Sequence, residues 1–181
     1  MSKVLLHICC APCGGFVIEE LQKEFDEVIA YFYNPNISPE EEYNHRLAEV
    51  KRYCDEKGVN LIEGVYEHEH WLEHVKGLEN EPEKGSRCEK CFTLRLSEAA
   101  QKAGELGSTH FATTLTMGRQ KPVAMINKIA KEVALIYGVE FVDRVWRQAG
   151  GQEAGVKISA EHDFHRQDYC GCEFSIRKMG D

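Results

Sequence analysis

Eight cysteines in a chain of 181 residues stand in four places, and three of those places have a spacing that can do chemistry. Cys9-Cys-Ala-Pro-Cys13 and Cys88-Glu-Lys-Cys91 each hold two thiols three residues apart, so both sulfurs of a pair can turn towards one metal centre. Two such pairs supply four thiolates, enough for tetrahedral zinc or for an iron-sulfur cluster. Spacing does not choose between the two, although the extra Cys9 makes a minimal zinc site less natural. Cys170-Gly-Cys172 is a different device. A disulfide closed across one residue is a small strained ring that glycine tolerates best, and strain raises its reduction potential, so this pair can switch redox state. A competing reading takes Cys10-Ala-Pro-Cys13 alone as a thioredoxin-like reductant whose thiol is activated by a helix N-terminus, but it leaves Cys88 and Cys91 without a role. Cys54, inside a predicted helix beside Val50 and Tyr53, reads as a packing residue.

The weaker candidates are polar. His68, His70 and His74 resemble a metal cluster on paper, yet seven glutamates surround them between Glu63 and Glu83, so a solvated acidic face is the expectation. Arg119 and Lys121, after a threonine-rich strand end and near a helix start, are placed to grip phosphate.

Strands and helices must position these groups. Val4 to Ile8 reads as a buried strand, followed by a helix from Gly14 onward, so the first cysteines sit at a strand-to-helix turn. A second strand, Val28 to Tyr33, runs into Asn34-Pro-Asn-Ile-Ser-Pro39, where prolines and asparagines force a loop. Ser38 is expected to cap the next helix, with Pro39 at its first position and Glu40 to Glu42 in its first turn; Gly58 stops it after Lys57. Val59 to Ile62 is a third strand. A helix from about Glu89 to Leu106 leads to a strand at Thr109 to Thr113, and a helix through Val123, Ile126, Ile129 and Val133 ends near Gly138, before a last strand at Val139 to Val142. Such alternation predicts a parallel α/β sheet, with sites beyond the carboxyl ends of its strands. Cys9, Cys10 and Cys13 follow the first strand and Thr113, Thr114 and Thr116 a later one, so both can line one crevice.

The length suits one domain, residues 1–181, whose segment from about 160 to 181 carries the Cys-Gly-Cys pair. No apolar run approaches a bilayer span and no signal-peptide core is present, so we expect the protein to stay in the cytoplasm, without membrane partners. There, thiols stay reduced, and metal ligation or redox catalysis explains eight cysteines better than a disulfide scaffold does. The net charge of -8 excludes a strongly basic nucleic-acid binder, but the charge is uneven: residues 1–108 hold 12 Lys and Arg against 21 Asp and Glu, whereas residues 109–181 hold 10 against 9. An RNA-facing surface should draw on the second part.

At His7-Ile-Cys-Cys-Ala-Pro-Cys13, Tyr33-Asn-Pro-Asn-Ile37, Arg87-Cys-Glu-Lys-Cys91, Thr113-Thr-Leu115 and Arg166-Gln-Asp-Tyr-Cys-Gly-Cys172 the sequence resembles the QueH family of epoxyqueuosine reductases, across nearly the whole chain. It departs from that pattern at Met117-Gly-Arg-Gln120 and at His165. The resemblance implies a Rossmann-like parallel sheet with helices on both faces, related to the HUP and PP-loop group. It also implies a 4Fe-4S cluster, leaving open an additional iron ion beside it. Its cluster ligands map onto Cys9, Cys10, Cys88 and Cys91, and its redox-active pair onto Cys170 and Cys172; spacing alone had favoured Cys13 over Cys9. The implied reaction removes the epoxide oxygen of epoxyqueuosine in tRNA to give queuosine, with electrons from an unidentified donor.

Overall fold

The computed structural model describes residues 1–176. Five parallel strands form one sheet: β1 (Lys3–His7), β2 (Glu27–Phe32), β3 (Asn60–Glu63), β4 (His110–Thr113) and β5 (Glu140–Phe141), in the spatial order β3-β2-β1-β4-β5. The helices are α1 (Ala11–Glu24), α2 (Glu40–Lys57), α3 (His68–His74), α4 (Ser86–Glu105), α5 (Val123–Tyr137) and α6 (Gly151–Glu161). None of them is long and apolar enough to cross a membrane.

The alternation of side chains along β1 builds the two faces. Val4, Leu6 and Ile8 belong to a core shared with Val17 and Leu21 of α1, Val50 and Tyr53 of α2 and Ile158 of α6. Leu5 points the other way, into a core with Leu96 and Ala99 of α4 and Ile126 and Ala130 of α5. The central strands are therefore apolar on both sides, as a parallel sheet between two helical layers requires. Cys54 is fully buried in the first core and has the packing role expected of it.

The chain winds outward from β1 through β2 to β3, then returns through α3 and α4 to lay β4 on the other side of β1. The order reverses between β1 and β4, and the loops leaving their carboxyl ends diverge around a crevice there.

Two helices went unforeseen. α3 occupies the acidic stretch because Trp71 is fully buried beneath it, and tertiary packing outweighs a poor local pattern. α6 opens on glycines, which hide a helix from sequence patterns; an added Cβ at Gly151 would stand 1.8 Å from the Trp146 carbonyl oxygen. The start of α2 also differs. Pro39 takes the cap position, and Ser38 is engaged elsewhere: its N–H donates to the Gly171 carbonyl (2.9 Å) and its carbonyl accepts from the Tyr169 hydroxyl (2.6 Å). Cys88 and Cys91 both lie in the first turns of α4, which begins three residues before the expected Glu89.

Candidate metal and thiol site

Ile8 leads β1 directly into the first cysteines, with Cys10 as the cap of α1 and Cys13 in its first turn. This tight entry needs a glycine. A Cβ on Gly14 would stand 2.1 Å from the buried Ile8 Cδ1. The sulfurs of Cys9, Cys10 and Cys13 all lie within 4.8 Å of one another, the one such group of His, Cys, Asp and Glu ligands among the described residues. Cys9 is tied to the end of β4 as well: its N–H donates to Thr114 Oγ1 (3.3 Å), and its sulfur lies 3.5 Å from the same hydroxyl.

Hydrogen bonds concentrate negative charge on one sulfur of the three. Contacts from the Cys10 and Cys13 thiols hold Cys9 well below the usual thiol range despite burial, and the Arg95 charge adds to the effect. Cys13 draws Cys10 down, but the contact Cys10 gives to Cys9, together with burial, pushes it up to about 12. Its contacts with Cys10 and Cys9, then burial, raise Cys13 well above its ordinary value.

Behind it, His7 is fully buried, and burial reinforced by the Arg95 charge pushes its imidazole down to about 3. The neutral ring fixes a tautomer: Nε2–H donates to the Tyr33 carbonyl (3.2 Å), and Nδ1 accepts from the Thr113 hydroxyl (3.0 Å). His7 thus buttresses the site from below.

Cys9, Cys13, Cys88, Cys170 and Cys172 all line a cavity of about 370 Å³. Cys88 accepts from the Lys84 N–H (3.3 Å), and burial raises its thiol and that of Cys91. Cys91 is nearly covered and packs with Trp71 and Cys172. The expected set Cys9, Cys10, Cys88 and Cys91 is therefore contributed by the turn from β1 into α1 and by the first turns of α4, which follows α3, and Cys13 is the thiol drawn closest to its first half.

The Cys-Gly-Cys segment folds back over this cavity. Gly171 takes φ +122°, a conformation open to glycine, and an added Cβ would press on Ile37 at 3.0 Å. The Arg46 guanidinium donates to the Cys170 carbonyl (3.3 Å) and covers the Tyr169 ring. Both cysteines are free thiols, in unlike surroundings. Burial opposes ionisation of Cys170, but Lys121, whose Nζ lies 2.6 Å from its sulfur, lowers it overall. Burial, followed by the Cys170 charge, raises Cys172.

Lys121 is thus turned inward to a thiol and not outward to phosphate as its sequence position had suggested. Arg119 is exposed at the cavity rim, together with Lys84 and Arg166. Arg177 and Lys178, two further candidate cations of the chain, lie outside the described residues. Of the three histidines, His68 is a structural tie: its ring bonds the Pro35 carbonyl (2.7 Å) and Glu173 (2.8 Å), whereas His70 is exposed. Sequence reading passed over Arg95, whose signal was a cation on the apolar stripe of α4, in step with Phe92, Leu96 and Ala99.

The family model for epoxyqueuosine reductase QueH matches residues 4–178. Relatives named epoxyqueuosine reductase QueH include one from Histophilus somni (strain 129Pt), 40% identical over 177 residues, covering 97% of this chain and 73% of that protein. Another, from Acinetobacter baylyi, is also 40% identical over 177 residues and covers 97% and 81%; one from Thermotoga maritima is 37% identical over 180 residues and covers 97% and 91%. Among solved structures, the U34-tRNA thiolase NcsA from Methanococcus maripaludis, described with its 4Fe-4S cluster, superposes with a TM-score of 0.59 at 16% identity, over 97% of this chain and 62% of that one. It shares the fold.

Proposed function

The chain belongs to the epoxyqueuosine reductase QueH family, and we propose that it removes the epoxide oxygen of epoxyqueuosine in tRNA, using an iron-sulfur cluster held by Cys9, Cys10, Cys88 and Cys91. The observation that carries this reading is the meeting of three distant thiol segments, residues 9–13, 88–91 and 170–172, at one open cavity. The donor set fits such a group: it is all sulfur, soft, and largely withdrawn from water, with a first sulfur already disposed to ionise. With four thiols assigned, Cys13 remains within 4.8 Å of the Cys9 and Cys10 sulfurs, available to an additional iron ion. When bound, the cluster supplies one-electron transfer.

The chain's own residues account for the rest. Removing the epoxide oxygen takes two electrons and two protons: two carbon–oxygen bonds break, a carbon–carbon double bond forms, and the oxygen leaves as water. Cys170 and Cys172 as a dithiol hold that amount, releasing two electrons and two protons as their sulfur–sulfur bond forms; an external donor then restores the thiols. Lys121 holds Cys170 as the more acidic sulfur and carries protons at Nζ beside the cavity. Arg119, Lys84 and Arg166 at the rim suit a polyanionic strand, whose anticodon nucleotide can be splayed out of its loop at little unpairing cost.

The test is conversion of epoxyqueuosine-containing tRNA by cluster-replete protein with a strong chemical reductant under strict exclusion of oxygen, read as a one-oxygen mass loss in the digested nucleoside. Persistence of the epoxide while the cluster is demonstrably reduced would reject the substrate assignment. In the same assay Cys170→Ser and Cys172→Ser keep the cluster but lose multiple turnover.

A further inference from the structure

Arg95 is a buried cation without a carboxylate. Its side chain lies on the inner face of α4 with the residue 1% exposed, yet it forms no ion pair with Asp or Glu among the described residues, and its Nε has no hydrogen-bond partner. Among the described residues its one hydrogen bond runs from Nη2 to Asn34 Oδ1 (2.6 Å), and Asn34 is in turn held by donating to the Ile8 carbonyl (2.9 Å). A neutral amide does not balance a guanidinium. An unpaired buried charge costs several kcal/mol or more, so such a group persists where some anion faces it.

The neighbours identify that anion. Arg95 lines the thiol cavity together with Cys9, Cys88 and Cys170, one cysteine from each of the three segments. The other buried cations of the cavity have partners: Lys121 is matched to Cys170, Arg46 to the Glu42 carboxylate, and Arg87 donates to the carbonyls of Leu78, Glu79 and Glu81. We infer that Arg95 is the fixed counter-charge of the metal centre, a positioning residue whose guanidinium balances the thiolate-bound cluster and sets its reduction potential. The inference rests on the cluster reading above. A cation stabilises the more negative, reduced state of a nearby centre, so Arg95 raises the midpoint potential, and its loss lowers it.

The experiment is a potentiometric titration of reconstituted protein, monitored by electron paramagnetic resonance, with iron and sulfide counted in each sample. Wild type is compared with Arg95→Lys, which keeps the charge, and Arg95→Gln, which removes it. We expect Arg95→Lys to titrate close to wild type and Arg95→Gln to shift to more negative potential, or to fold while holding less cluster. Asn34→Asp is the second route: it sets a carboxylate against the same guanidinium and should shift the midpoint in the same direction, which decides the matter if Arg95→Gln does not fold. Equal midpoints and equal iron in wild type and a folded Arg95→Gln, or an unshifted Asn34→Asp, would overturn the role of Arg95. Wild type that takes up no iron and sulfide would reject the cluster reading instead.

Discussion

Replacing Lys121 with Met should slow alkylation of Cys170 in metal-free protein several-fold. The structure supplies the magnitude. Lys121 Nζ sits 2.6 Å from Cys170 Sγ in a partly buried pair, and a hydrogen bond to a charged group contributes about 1.5–3 kcal/mol. At about 1.4 kcal/mol per pKa unit, its loss raises the Cys170 thiol by roughly one to two units. The sign follows from the cause: Lys121 lowers the thiol against the pull of burial, so removing the cation leaves burial to raise it. Below the thiol's pKa each unit cuts the thiolate fraction about tenfold, whereas the more basic sulfur regains about threefold in nucleophilicity. The net loss is about three- to tenfold. Iodoacetamide labelling at neutral pH, resolved by peptide mass spectrometry, separates Cys170 from the other thiols, and Lys121→Arg serves as the charge-keeping control. An unchanged rate for Cys170 in Lys121→Met would refute the pairing.

Cys88→Ala and Cys91→Ala should each abolish cluster incorporation, because loss of one thiolate opens a coordination position to solvent and oxygen; full iron and sulfide content in either variant removes that residue from the ligand set. Arg119→Ala with Arg166→Ala should weaken tRNA binding and reduce the salt slope by about two, one for each lost phosphate contact, as read by filter binding across a salt series. An unchanged slope places the RNA surface elsewhere. Gly14→Ala should cost about 1–3 kcal/mol, since its Cβ would intrude on Ile8 in a closed core, seen as a fall in Tm of roughly 2–12 °C; a wild-type Tm shows that the turn can yield.

Much of the fold was legible because the main strands, β1, β2 and β4, are apolar on both faces and the helices between them carry a regular apolar stripe. Glycine ends α2 and α5 in the left-handed conformation, at Gly58 and Gly138 as expected. α6 escaped notice because its opening residues are glycines whose value lies in close approach, which only the folded neighbours reveal. The cysteines announced the site through type and spacing. Their relations did not follow from spacing: that Cys13 shares its sulfur neighbourhood with Cys9 and Cys10, or that Lys121 turns to Cys170, depends on how β1, β4 and the final turn meet. Arg95 was hidden differently, because a cation on a helix is usually solvated, and only burial exposes it as anomalous.

The return of residues 169–172 onto the loop after β2 fixes the order in which the site can be made. Cys9 to Cys13 leave the ribosome before Cys88 and Cys91, and the segment that closes the cavity and brings in the last two sulfurs is synthesised after both. Until Tyr169 and Gly171 reach Ser38, the earlier thiols have no cover over the crevice. The window for loading metal from the open side precedes that closure, and the same two contacts to the Ser38 backbone that cover the crevice also end easy access for whatever delivers iron and sulfide.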